Sequence, residues 1–199
     1  MPVREQFYEI SLLLIVGIFL WLRMYFKKKY YVPGHQKVIA RSLPQAQLLL
    51  QVLLGLSMVL PPLLLVFTDW LDFAGFYLSA AYRLAGWVVA VISLLLLWWT
   101  HRSLHSNWSP SVEIREEHDL ITAGPFRYVR HPMYTAFFFF YASFLPLSAN
   151  LFAGLLPVTL FFVILYLRVP VEEKMLQQQF GERYVVYKAA TRRFIPFLF

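Results

Sequence analysis

The chain has 199 residues, of which 59% are hydrophobic, 19% aromatic and only 15% charged. Soluble domains are less apolar and are about one-quarter charged, so this composition indicates an integral membrane protein. The sequence contains no cysteine, which excludes disulfide bonds, thiolate zinc sites and cysteine nucleophiles. The net charge of +7 comes from basic residues clustered beside apolar segments, so it favours anionic lipid head groups over nucleic acid as partners.

Three apolar segments of membrane-spanning length occupy the first half of the chain, at residues 7–26, 46–67 and 83–101. The first is longer than the hydrophobic region of a signal peptide and no small-residue cleavage site follows it, so we expect it to be retained. Arg23 lies near its end, where a long basic side chain can reach the interface. Pro61 and Pro62 predict a kink or local break in the second span.

The next apolar region, residues 133–167, is too long to be one span. Pro146, Ser148 and Asn150 lie near its middle and predict a tight turn between two helices. With both helices counted, the chain has about five transmembrane helices. We therefore expect an all-α membrane bundle that forms a single domain over residues 1–199.

The remaining segments are polar or charged. Residues 102–130 form a segment of soluble character between the spans. From Val171 the pattern becomes that of a charged amphipathic helix, and Gly181 predicts a break before a second short helix. The domain thus divides into residues 1–101, with the first three spans, and residues 102–199, a core with a cofactor pocket formed by the central loop and the C-terminal helices.

Basic residues predict how the bundle is oriented. The segment 27–45 carries five Lys and Arg residues, the segment 102–130 carries four, and the tail from Arg168 carries six, all on one face. The opposite face has only Arg4 and Arg83. By the positive-inside rule, the central segment and the C-terminus are cytoplasmic and the N-terminus lies on the opposite side. The central segment and the tail can then build one site.

One polar, turn-rich stretch, HDLITAGPFRYVRHPMY at residues 118–134, stands out in the apolar chain. Gly124 and Pro125 mark a turn, and Pro132 is placed to begin a helix. The basic residues and the histidine between them lie at the mouth of an apolar run. Such groups are costly in lipid, which favours a head-group or ligand site.

Arg168 and Glu172 lie four residues apart at the end of the last span, so they share a face if the helix continues through Pro170. Spacing alone favours an interfacial salt bridge of little energetic value. Because both ionisable groups face the basic central stretch, a functional site is an equally good interpretation.

Motifs of several common enzyme classes are absent from the sequence. It has no HExxH or paired-His spacing, so we expect no metal site. It also has no GxSxG nucleophile elbow, no phosphate-binding P-loop and no GxGxxG. Tyr128, Tyr134, Tyr184 and Tyr187 are interpreted as interfacial or packing residues.

The stretch at 118–134, the later Glu172-Glu173 pair and the closing FGERYVVYKAATRRFIPF together resemble the C-terminal core of the isoprenylcysteine carboxyl methyltransferase family. The wider group includes membrane phospholipid N-methyltransferases. The motifs occur in the family's order and spacing over residues 118–196. The resemblance implies an integral membrane enzyme that uses S-adenosylmethionine, releases S-adenosylhomocysteine, and holds the cofactor between the central loop and the C-terminal region.

The resemblance also implies roles for individual residues. It assigns Arg168 to the substrate carboxylate and Glu172 to the cofactor, and these two are the candidate catalytic residues. The other implied cofactor-binding positions are His118, Asp119, Leu120, Ile121, Phe126, His131, Pro132, Met133 and Tyr134.

Carboxyl methylation suits these residues. A prenylcysteine carboxylate is already ionised near neutral pH, so it needs alignment and an anchor such as Arg168 rather than a base. An amine acceptor would need a base, and no group is marked for that role. We therefore expect a monomeric enzyme, surrounded by membrane lipids, that methylates a lipidic carboxylate, most simply a C-terminal isoprenylcysteine. The alternatives are an N-methyltransferase of phospholipids or other small lipids, and a non-enzymatic transporter or scaffold.

Overall fold

The computed structural model describes residues 3–31, 38–42, 45–109, 112–115 and 119–196. Its helices are α1 (Val3–Tyr30), α2 (Gln45–Phe67), α3 (Ala80–Leu104), α4 (Pro132–Ala142), α5 (Phe144–Ser148), α6 (Leu151–Phe180) and α7 (Glu182–Ala190). Two short strands, β1 (Val38–Ser42) and β2 (Val112–Arg115), pair in the antiparallel direction.

The long helices lie where the apolar runs predict them, and α1 and α3 extend a few residues further at each end. α2 is one continuous helix through Pro61 and Pro62, so the prediction of a local break there is wrong. α6 likewise continues through Pro170 to Phe180, so the charged pattern from Val171 belongs to the same helix rather than to a new one. Unpaired backbone groups are costly in lipid, which keeps helices continuous even where proline removes a hydrogen bond.

Four helices in the described part of the chain are long and apolar enough to cross a membrane: Gln6–Tyr30, Gln47–Phe67, Ala80–Asn107 and Leu151–Phe180. α4 and α5 are shorter, but only Ser143 separates them, and together they run from the central segment to the bend before α6. Counting that pair as one crossing, the bundle agrees with the predicted five. The all-α class is confirmed, and the β1–β2 pair is a small addition to it.

Contacts at the two ends of the bundle define the helix directions. At one end, Trp87 Nε1 donates to Ser11 Oγ at 2.9 Å and so joins the N-terminal halves of α3 and α1. At the other end, Phe26 stacks on His101 with ring centroids 4.8 Å apart. α1 and α3 therefore run in the same direction, and α2, which packs against α1 and α6, runs in the opposite direction.

The predicted turn between the last two apolar helices lies at Ala149 and Asn150. Ala149 has a left-handed φ of 46°, and Asn150 Oδ1 accepts a hydrogen bond at 3.0 Å from the backbone N–H three residues later, which caps α6. Asn150 Nδ2 donates to the Leu71 carbonyl at 2.7 Å. A Cβ at Gly154 would lie 2.5 Å from Leu145 Cα, so α5 and α6 pack backbone against backbone.

Aromatic side chains fill the core of the bundle. Phe19 of α1 stacks on Phe140 of α4 with ring centroids 4.2 Å apart, and Phe144 and Phe161 are fully buried nearby. Close packing of this kind matters in membranes because lipid is as apolar as the side chains and supplies no hydrophobic driving force. The packing brings the start of α4 and the end of α6 to the same end of the bundle.

Candidate active site

A cavity of about 180 Å³ lies where the central segment, α4, the end of α6 and α7 meet. The predicted site residues that line it are Asp119, Leu120, Ile121, Phe126, His131, Pro132, Met133, Tyr134, Arg168 and Glu172. His118, the other predicted position, lies outside the described residues.

The turn of the central segment depends on a glycine. The predicted turn forms a short 3-10 helix, Gly124–Arg127. Gly124 has a φ of +63°, and a Cβ there would lie 2.5 Å from Ser103 Oγ, so another residue would be strained and would clash. The chain then extends to His131, and Pro132 takes the first position of α4, as predicted.

The C-terminal tail pairs with the central segment through its backbone. Arg130 N donates to the Arg192 carbonyl at 2.7 Å, and His131 N donates to the Arg193 carbonyl at 3.0 Å. These bonds are made just before α4 begins. The tail therefore fixes the position of the first turn of α4, and two segments distant in sequence share one cavity.

Glu172 places a carboxylate in the cavity wall. Tyr134 Oη donates to Glu172 Oε2 at 2.6 Å, and His131 Nδ1 lies 3.7 Å from Glu172 Oε1. The Glu172 side chain is 30% exposed, so it can also reach a ligand. Arg168 lies one turn earlier and lines the same cavity, since α6 is continuous through Pro170.

The adjacent acid, Glu173, joins the parts of the protein that surround the cavity. It accepts hydrogen bonds from Arg130 Nε at 3.3 Å and from Arg193 Nη2 at 3.1 Å. It also lies 3.1 Å from Lys188 Nζ and 3.4 Å from His131 Nε2. Its side chain is 5% exposed. This buried ion cluster ties α6 to the central segment and to the tail.

The ionisation of the groups outside the spans follows from these contacts. Burial lowers the pKa of His131, but hydrogen bonds and charges from Glu172 and Glu173 more than offset that effect and raise the pKa above its ordinary value. His131 therefore holds its proton to higher pH than an exposed histidine. Burial raises the pKa of Tyr187 to about 12 and also raises the pKa of Tyr184. Both hydroxyls are neutral at physiological pH and can donate hydrogen bonds.

Some cavity residues were not assigned to the site by the sequence, among them Arg23, Trp108, Arg130 and Tyr184. The sequence predicts Arg23 at the membrane interface, but its guanidinium carbon lies 5.0 Å from the centre of the Trp108 ring. A charged residue inside an apolar span is the signal that could have indicated it. Tyr184 is fully buried, and its hydroxyl has no hydrogen-bond partner in the described part of the chain.

An apolar groove of about 490 Å³ lies beside the cavity. Phe138 of α4, Leu165 of α6 and Phe194 of the tail are among its walls, and Tyr134 lines both the groove and the cavity. The cavity offers charges of both signs, and the groove offers a mainly hydrocarbon surface. The pair suits an amphipathic ligand with a charged head and an apolar chain.

Comparison with known proteins adds independent information about this site. Residues 86–178 match the model of the isoprenylcysteine carboxyl methyltransferase family. Protein-S-isoprenylcysteine O-methyltransferase B of Arabidopsis thaliana is 29% identical over 89 residues, which are 44% of this chain and 45% of that protein. The match thus spans less than half the length of this curated relative. The segment matched by the family model contains both Arg168 and Glu172.

The fold has a counterpart among solved structures. The chain aligns with a structure of the eukaryotic intramembrane Ras methyltransferase, isoprenylcysteine carboxyl methyltransferase, determined without a monobody. The TM-score is 0.56 at 20% sequence identity, and the alignment covers 92% of this chain and 68% of that chain. This likeness shows a shared fold. The family model matches the segment that contains α4 and most of α6, in agreement with the resemblance that the sequence motifs carry.

Proposed function

We propose that this protein transfers a methyl group from S-adenosylmethionine to the carboxylate of a lipidic substrate, most simply a C-terminal isoprenylcysteine. The observation that carries the proposal is the junction at Tyr134 of a charged cavity and an apolar groove. Arg168 and Glu172 line the cavity side of that junction. A substrate with an ionised head and a hydrocarbon chain would place its head in the cavity and its chain in the groove.

The cavity residues suit the methyl donor. S-adenosylmethionine, when bound, supplies an electrophilic methyl group on a positively charged sulfur. Glu172 offers the negative charge that a sulfonium or ammonium group requires, and Tyr134 holds this carboxylate by a hydrogen bond. The hydroxyl of Tyr184, which has no hydrogen-bond partner among the described residues, is a further polar group for a ligand.

The same residues suit a carboxylate acceptor. An α-carboxyl group with a pKa of about 3.3–3.7 is ionised at neutral pH, so no base is needed to activate it. Arg168 can bind the carboxylate with two parallel hydrogen bonds, which holds it in one orientation for attack. An amine acceptor would have to lose a proton. The raised pKa of His131 increases the population of its protonated form, which cannot accept that proton.

The proposed site lies on the cytoplasmic face. Fifteen of the eighteen Lys and Arg residues belong to the segments 27–45, 102–130 and the tail from Arg168. The central segment and the tail meet at one end of the bundle, and the first turns of α1 lie near the other. We therefore assign the N-terminus to the opposite side of the membrane, and a monomer surrounded by lipid as the working unit.

The proposal is tested by measuring methyl transfer and S-adenosylhomocysteine binding in site variants and in matched control variants. Arg168→Ala should abolish methyl transfer to a prenylcysteine while S-adenosylhomocysteine still binds. Glu172→Ala should weaken S-adenosylhomocysteine binding itself, as measured by calorimetry. Arg183→Ala and Glu182→Ala, at exposed positions of α7, are the matched controls. They should change neither methyl transfer nor S-adenosylhomocysteine binding.

Each alternative function predicts a different result in the same assays. Transfer to an ethanolamine phospholipid but not to a prenylcysteine would indicate the N-methyltransferase. A wild-type protein that binds no S-adenosylhomocysteine would indicate a transporter or scaffold. Full turnover in both Arg168→Ala and Glu172→Ala would show that the site is elsewhere.

A further inference from the structure

Arg23 brings a positive charge from the first helix into the cavity wall. Its Nη1 lies 3.7 Å from Met133 Sδ. Its guanidinium carbon lies 5.0 Å from the centre of the Trp108 ring and 5.3 Å from that of Phe137. All four residues line the cavity. The guanidinium is therefore held between two aromatic rings beside the space that a ligand would fill.

No carboxylate in the described part of the chain compensates this charge. Within the described residues, the partners of Arg23 are the two aromatic rings and the sulfur of Met133, with no carboxylate among them. A thioether is a weak acceptor, and contact with ring faces leaves the N–H groups without strong acceptors. Arg168 lines the same cavity and adds a second positive charge. Charges in apolar surroundings are costly unless paired, so an anion in the cavity would be stabilised here.

Trp108 provides an independent indication of a ligand. Its side chain is fully buried and lines the cavity, and its Nε1 has no hydrogen-bond partner in the part of the chain that the structure describes. Buried indole N–H groups normally find an acceptor. An anionic oxygen in the cavity could accept from this N–H and from the neighbouring guanidinium.

We infer that Arg23 and Trp108 form a carboxylate-binding subsite, separate from the anchor at Arg168. The inference rests on the proposed methyl transfer, in which two ligands carry a carboxylate: the lipidic acceptor and the methionine part of the donor. A guanidinium binds a carboxylate through two parallel hydrogen bonds, and the indole adds one more donor. Two arginines in one cavity also repel a cationic amine head group, so this subsite favours anionic acceptors.

Calorimetric binding to the detergent-solubilised full chain tests the subsite without relying on turnover. The probes are a prenylcysteine with a free carboxylate, its methyl ester and S-adenosylhomocysteine. Arg23→Met removes the positive charge. Arg23→Lys keeps the charge but loses the planar guanidinium that donates two parallel hydrogen bonds. Arg102→Met is the matched control, because Arg102 also lies over a tryptophan ring, that of Trp98, but is exposed on α3.

Arg23→Met should weaken binding of one carboxylate ligand by about 10- to 100-fold, the range typical for hydrogen bonds to charged groups. Weaker binding of the free-acid prenylcysteine, with the methyl ester unchanged, assigns the subsite to the acceptor. Weaker binding of S-adenosylhomocysteine assigns it to the donor. Arg23→Lys should lie between Arg23→Met and wild type, and Arg102→Met should match wild type.

Thermal unfolding without ligand separates binding from a structural role. Arg23 has no carboxylate partner among the described residues, and burying such a charge costs free energy, so ligand-free Arg23→Met should unfold no earlier than wild type. Earlier unfolding, or affinities for both carboxylate ligands within twofold of wild type, would overturn the subsite and leave the proposed function intact. A wild-type protein that binds none of the probes would overturn both.

Discussion

Glu173→Gln tests whether the buried ion cluster holds the site together. The substitution keeps the shape of the side chain but removes the charge that Arg130 and Arg193 share. Arg130 and Glu173 are 8% and 5% exposed, and breaking a buried pair of this kind costs about 3–5 kcal/mol. Arg193 and Lys188 are 49% and 40% exposed, so their ion pairs add little. We expect the free energy of unfolding to fall by about 3 kcal/mol.

Thermal unfolding in detergent measures this loss. For a chain of this length each kcal/mol corresponds to about 2–4 °C, so the midpoint should fall by about 6–12 °C. S-adenosylhomocysteine should also bind more weakly, because the tail would no longer hold His131 in the cavity wall. Glu182→Gln, at an exposed position of α7, is the control and should change stability by less than about 0.5 kcal/mol. Equal midpoints for Glu173→Gln and this control would refute the reasoning.

Three further outcomes are expected. Tyr134→Phe removes the hydrogen bond to Glu172 and should weaken S-adenosylhomocysteine binding about tenfold in calorimetry, whereas unchanged affinity would contradict the role of that bond. The pKa of His131 is raised on folding, so its stabilising contribution is complete below about pH 6.5 and is lost as the pH rises through the folded value. Thermal midpoints between about pH 5.5 and 8.5 should show this decline, and His131→Asn should flatten it. Gly154→Ala would place a Cβ 2.5 Å from the backbone of α5 and should cost about 1–3 kcal/mol in the same unfolding assay. Gly17→Ala, whose Cβ would meet nothing within 4 Å, should be neutral or slightly stabilising, and equal losses in the two variants would contradict the close packing of α5 on α6.

The sequence by itself determined where the helices lie and where the chain turns. Span length, the proline that begins α4 and the capping Asn150 are local properties, since each acts on backbone groups a few residues away. The apolar runs accordingly predicted the long helices, and the bend before α6 lies where turn residues interrupt the longest run. The family motifs named about half of the residues that line the cavity. The sequence left open whether the last span continues through Pro170.

Only the tertiary structure decided which side chains meet. Glu172 and Glu173 are adjacent and chemically identical, but consecutive helical residues point about 100° apart. Glu172 therefore lines the cavity, while Glu173 pairs with the tail. Arg168 shares the face of Glu172 because α6 continues through Pro170. Arg23 reaches Met133, 110 residues away along the chain, because α1 packs against α4. No local pattern encodes such a long-range contact, since it depends on the packing of whole helices against one another.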